Sequence, residues 1–122
     1  MLTNRCSFEI SKILKEHGFT QYSIEFHSDY YDESGKLIYN VEDNTGGLIF
    51  APYICEVIDR FEIDLGLYLD VHYDIDGFQY RIYDPSEPRE ILSNLMNVEL
   101  SSVAYEECIL EAIEYYDKKE RE

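Results

Sequence analysis

Residues 67–83 alternate apolar and polar side chains around one Asp76-Gly77 dipeptide, and no other stretch of the chain constrains the fold as tightly. Alternation of this kind marks strands with one buried face. Asp-Gly is favoured where both central residues of a two-residue hairpin turn take positive φ. Centred on that turn, the expected register opposes Ile75 to Phe78, Tyr73 to Tyr80 and Val71 to Ile82 on an apolar face. The other face opposes Asp74 to Gln79, His72 to Arg81 and Asp70 to Tyr83. Turn chemistry and side-chain pattern agree, so an antiparallel hairpin is the fixed point for the rest.

Three helices surround it in the sequence. Cys6, Ile10, Ile13, Leu14 and His17 fall at helical spacing, predicting a helix over residues 4–17 that Gly18 stops. Pro52 reads as the first-turn proline of a second helix, with Ile54, Cys55, Ile58, Phe61 and Leu65 as its apolar stripe and Gly66 at its end. A third starts near Ser101 or Ser102, either one a suitable N-cap. Tyr105, Cys108, Ile109, Ala112, Ile113 and Tyr116 form its inner face, and Glu106, Glu107, Glu111 and Glu114 face water. Its tail, residues 117–122, is charged and expected to fray. A short helix is expected around Ile91, Leu92, Leu95 and Met96.

Between the first two helices, Tyr22, Ile24 and Phe26 alternate with polar residues as a strand, residues 28–35 form an acidic turn, and a weaker strand covers residues 37–39. Residues 42–47 break the pattern as a loop. The expected architecture is therefore α+β: a single domain over residues 1–122, in the order α-β-β-α-β-β-α. An antiparallel sheet of about four strands carries the helices on one face. A chain of 122 residues buries roughly two-thirds of its extended surface, enough for one core without cross-links.

Acidic residues outnumber basic ones 26 to 10, a formal charge of −16. That field repels nucleic-acid backbones and anionic membranes and favours basic protein surfaces or divalent cations. No apolar run approaches the roughly 20 residues that span a bilayer, and the first residues lack the apolar segment of a secretion signal. A cytoplasmic location is expected. Cys6, Cys55 and Cys108 are odd in number and far apart, the pattern of free thiols in a reducing compartment.

Several groups of residues are candidate sites. Asp70, His72 and Asp74 share the polar face of one strand and could ligate a transition metal, which would suit a metal-dependent hydrolase. Arg81 across the strands argues for a solvated, charge-balanced face instead, because its fixed charge competes with a cation. Residues 72–84 echo a calcium loop through Asp74, Asp76 and Gly77, but Tyr83 stands where a bidentate glutamate belongs. The cysteines have no close pair spacing for zinc and suit core packing. Gly46-Gly47 lacks the lysine and hydroxyl residue of a phosphate loop. No serine-hydrolase or zinc-protease signature is present in the sequence. The expectation is that no catalytic residue, cofactor or metal is involved.

Short phrases along most of the chain carry a resemblance. Cys6-Ser7-Phe8-Glu9-Ile10 with residues 14–19, Ala51-Pro52 with residues 57–61, Leu65-Gly66-Leu67, and Tyr105-Glu106-Glu107-Cys108 with Glu111-Ala112-Ile113 are its elements. They resemble small α+β proteins encoded by Bacteroides-type bacteria and their phages or mobile elements. The resemblance implies a genomic setting and supplies no activity or site.

The remaining feature is tyrosine, 12 residues with no tryptophan. Tyrosine gives large contact area at low entropic cost and recurs at binding hot spots. Tyr30, Tyr31 and Asp32 in one loop, with Asp70, His72, Asp74 and Arg81 on the hairpin, form the candidate interaction surface. The expected function is a non-enzymatic acidic domain that binds another protein, one with a basic surface. The alternatives are a nucleic-acid-mimicking inhibitor of a host DNA-binding or defence protein, and the metal-dependent hydrolase. The mimic requires carboxylates in two rows along one surface.

Overall fold

Ser7 opens the first helix: its backbone is extended, at φ −66° and ψ 166°, and its hydroxyl accepts the Ile10 N–H at 3.3 Å. In this computed structural model, which describes residues 5–18, 28–42, 47–74, 77–87, 89–95 and 101–121, α1 therefore spans Phe8–Glu16. Residues 5 and 6 lie outside it because their backbone is used elsewhere. The Cys6 N–H donates to Pro52 O at 2.8 Å, and Arg5 bridges to Tyr53. Ile10 and Leu14 are buried as the stripe requires and Ile13 is half-buried; Ser11, outside the expected stripe, is buried too, whereas His17 is the exposed cap residue rather than part of the inner face.

The described residues are α+β, with three α-helices and six strands in two antiparallel sheets. The single sheet of about four strands is thus corrected to two of three strands each, and the chain divides into two compact units, Thr3–Tyr53 and Ile54–Glu122.

In Thr3–Tyr53, strands β1 (Ser28–Tyr31), β2 (Leu37–Val41) and β3 (Ile49–Phe50) form a sheet in the order β2-β1-β3. β1 occupies half of the expected acidic turn. Tyr30 pairs with Ile38 on one side and Phe50 on the other, so two β-forming tyrosines carry the strand through Tyr31. The turn itself is short: Gly35 N–H donates to Asp32 O at 3.0 Å and Asp32 N–H to Lys36 O at 2.9 Å. The expected strand at residues 22–27 lies outside the described residues, as do residues 43–46 of the predicted loop.

In Ile54–Glu122, α2 (Ile54–Arg60) continues into a wider π-helical turn, Phe61–Leu65. Pro52 stands two residues ahead of α2 rather than in its first turn. Gly66 closes the segment at φ 67°, and the Leu67 N–H reaches back to Phe61 O at 3.0 Å. Strands β4 (Tyr68–Asp74), β5 (Gly77–Asp84) and β6 (Arg89–Leu95) follow in the order β4-β5-β6.

The hairpin forms with a register two residues from the expected one. Asp74 opposes Gly77, Tyr73 opposes Phe78, His72 opposes Gln79, Val71 opposes Tyr80, Asp70 opposes Arg81 and Tyr68 opposes Tyr83. Gly77 is paired with Asp74 as the first residue of β5 rather than placed within the turn, and residues 75–76 lie outside the described residues. A slip of two residues preserves side-chain parity, so the described members of each face stay together, Ile75 lying outside the described residues. β6 stands where the short helix is expected through Leu95, Met96 lying outside the described residues. Its ladder to β5 runs from Asp84↔Arg89 to Phe78↔Leu95, and that non-local pairing overrides a local apolar pattern that also fits a helix.

α3 (Ser101–Arg121) lies against β4 and β5. Ala104, Cys108, Ile109, Ala112 and Ile113 are buried, with Tyr105 and Tyr116 half-buried beside them. Phe61, Leu67, Ile82 and Ile109 are fully buried, each worth about 1.5–3 kcal/mol of transfer free energy. The expected frayed tail is helical to Arg121. Cys6 and Cys108 are buried and Cys55 half-buried, all three as free thiols, although Cys6 precedes α1 instead of lying within it. Among the described residues, no helix is long and apolar enough to cross a membrane.

Candidate functional site

Alternation along β5 sorts its side chains between two faces. Tyr80, Ile82 and Asp84 are buried, whereas Arg81 and Tyr83 are exposed. The exposed face continues across the sheet in rows. Tyr68, Tyr83 and Glu90 are paired neighbours on β4, β5 and β6, and Asp70 and Arg81 are paired in the next row. Tyr68 is 46% exposed and Tyr83 40%. The Arg81 guanidinium lies 3.4 Å from Glu90 Oε1 and 4.0 Å from Asp70 Oδ2, and His72 Nδ1 is 3.9 Å from the same Asp70 oxygen. Such long, solvent-exposed contacts contribute about 0–1 kcal/mol each.

This arrangement unites Asp70, His72 and Arg81 on one face, as the pattern predicts. Asp74 occupies the matching register position, its side chain lying outside the described set. As a metal site the face is poor, because the Arg81 cation stands against the same carboxylate oxygen that faces His72. Among the described residues no group of three His, Cys, Asp or Glu side chains is placed to hold a metal ion.

Tyr30, Tyr31 and Asp32 belong to the other unit and do not form the expected contact loop. Tyr30 is only 6% exposed and meets Phe50 edge to face at 5.9 Å, so it is a core residue. Tyr31 packs against Phe8 at 5.6 Å, and its hydroxyl donates to Cys6 O at 2.6 Å. One oxygen of Asp32 accepts from Ser34 N, Ser34 Oγ and Lys36 N at 2.6–3.0 Å. The Ser34 hydroxyl first, and the Lys36 amide second, hold its carboxyl below the usual range. A shallow depression lined by Asp32, Glu33, Ser34, Gly47 and Leu48 borders this turn.

A second polar constellation, outside the sequence candidates, centres on Asp84. Asp84 is 2% exposed on the buried face. Its Oδ1 accepts from Ser86 Oγ at 2.6 Å and Ser86 N at 3.1 Å, and its Oδ2 accepts from Tyr115 Oη at 2.6 Å and Lys119 Nζ at 2.9 Å. Burial pushes the carboxyl up, but the bonds from Ser86, Tyr115 and Lys119 outweigh it and hold Asp84 well below the ordinary carboxylate range. Burial first, then Asp84, pushes the Tyr115 hydroxyl far above its ordinary value.

Lys119 Nζ also lies 2.8 Å from Ser86 Oγ, a spacing found in serine–lysine nucleophile pairs. The chemistry differs. Lys119 Nζ donates to Asp84 Oδ2 and to Ser86 Oγ alike, so it meets the serine as a donor rather than as a base. A carboxylate with so little proton affinity is also a weak general base at neutral pH. The cluster is suited to fastening, not to proton transfer.

No protein-family model, curated protein or solved structure matches the chain. The functional reading therefore rests on geometry. The signal for Asp84 was present in the alternation itself: continuing Tyr80, Ile82 by two residues puts Asp84 on the apolar face, and Pro85-Ser86 behind it marks an Asx turn.

Proposed function

We propose that this protein is a non-enzymatic acidic interaction domain that binds a basic protein surface through the open face of the β4-β5-β6 sheet. The observation that carries the reading is the directly paired Tyr68 and Tyr83, both substantially exposed beside Asp70 and Glu90. Large amphipathic rings left in water on an ordered sheet offer contact area that is already rigid before binding. The formal charge of −16 steers basic partners toward the molecule and keeps nucleic acid away.

The test is affinity capture from cells that express the protein, with the wild type and a Tyr68→Ser/Tyr83→Ser variant side by side. The reading expects one stoichiometric basic partner that elutes with salt and is lost from the variant. Absence of a stoichiometric partner, or equal capture by both baits, overturns it.

A further inference from the structure

We propose that the open sheet face is a receptor for an arginine side chain on the basic partner. The inference rests on the interaction reading above and narrows it from a surface to a chemical group. A guanidinium is planar and weakly hydrated, so it can lie on an aromatic ring while its N–H groups donate to a neighbouring carboxylate. An ammonium is compact and strongly hydrated and does this less well.

The protein already holds one of its own arginines in this manner. Within Thr3–Tyr53, Arg5 Cζ sits 4.3 Å above the Tyr53 ring, while its guanidinium donates to Asp29 Oδ2 at 2.7 Å and Ala51 O at 2.6 Å. One tyrosine ring and one carboxylate are the essential parts. The open face of the other unit carries the same parts in duplicate. Tyr83 is flanked by Tyr68 on one strand and Glu90 on the other, and Asp70 lies two residues from Tyr68 on the same face. Arg81 engages these carboxylates only at 3.4 and 4.0 Å, against 2.7 Å for Arg5 and Asp29, so an incoming guanidinium meets weak internal competition.

The full chain is titrated calorimetrically with nona-arginine and nona-lysine peptides at about 150 mM salt, where long-range attraction between exposed charges is largely screened. Nona-arginine should bind about fivefold tighter than nona-lysine. Tyr68→Ala/Tyr83→Ala should weaken nona-arginine about tenfold and erase the preference, while Tyr39→Ala, an exposed tyrosine of the other unit, leaves it intact. Circular dichroism checks that the double variant is folded; if it is not, Glu90→Gln, which should reduce the arginine preference alone, decides. Equal affinity for the two peptides, or a preference that survives loss of both tyrosines or of the Glu90 charge, overturns the proposal. If partner capture still depends on Tyr68 and Tyr83 in that case, the interaction reading stands and only the arginine assignment falls.

Discussion

The Tyr115 hydroxyl donates to Asp84 Oδ2 at 2.6 Å, and Lys119, one turn further along α3, donates to the same oxygen at 2.9 Å. The last turns of α3 are thus tied to the β5-β6 turn by a carboxylate that is almost wholly out of water. A buried charge is tolerated only while its partners remain, so the tie is strong in one direction: loss of a partner costs more than the bond contributes net.

Lys119→Met should therefore destabilise the protein by about 2 kcal/mol, and Tyr115→Phe by about 1.5 kcal/mol. Urea unfolding monitored by circular dichroism measures both. Hydrogen exchange should locate the loosening in the last turns of α3, because the buried stripe upstream, ending at Ile113, is untouched.

The same carboxylate sets an acid limb of stability. Its pKa is depressed in the folded state from an ordinary 3.8. Above the ordinary value both states are ionised and the stabilisation is complete. As pH falls below it, the unfolded chain binds a proton that the folded chain refuses, so stability is lost down to the folded pKa. Asp84→Asn should flatten this limb of the unfolding free energy below about pH 4, measured by urea titration at a series of pH values. An unchanged slope would show that other carboxylates dominate it.

Thiol chemistry should separate the three cysteines. Cys108 is fully buried in α3, and burial first, with Asp70 second, pushes its thiol up to about 12. Cys6 is also fully buried, whereas Cys55 is only partly so. With a chromogenic disulfide at pH 8, the native protein should release one equivalent quickly, from Cys55, and the other two only after denaturant is added. Peptide mapping of the first adduct checks the assignment.

Two glycines should differ in their tolerance of alanine. Gly66 sits at φ 67° with open space around an added Cβ. Gly35 sits at φ 87°, and an added Cβ would lie 3.1 Å from Phe8 Cδ2. Gly66→Ala should cost about 1 kcal/mol, the backbone strain alone, and Gly35→Ala about 2 kcal/mol or more. Thermal unfolding of the pair gives the comparison, and the order of the two melting temperatures is the result that matters.

Arg5→Lys should behave as a disruptive change. Lysine keeps the charge but cannot reach Asp29, Ala51 O and the Tyr53 ring together. A loss of about 1–2 kcal/mol is expected. A double-mutant cycle with Tyr53→Leu should show coupling between the two side chains.

Local pattern carried much of this protein. The apolar spacing of Ile10 and Leu14, the Gly66 boundary, the inner face of α3 and the partition of β4 and β5 into two faces follow from residue type and period, because each depends on neighbours within a few positions. The α+β class follows from the same signals.

What required the folded chain was every choice between pairings of similar local quality. Ile91 and Leu92 suit a helix or a strand, and only the ladder along β5 makes them β6. Two registers of the hairpin expose the same faces, and only cross-strand packing selects the one that opposes Asp70 to Arg81. Tyr30 reads as a surface residue until Phe50 is set against it. Asp84 reads as a turn residue until Tyr115 and Lys119 arrive from 31 and 35 positions away. Periodicity says which side of an element is buried. It cannot say against what, because the energy that decides comes from partners distant in the chain.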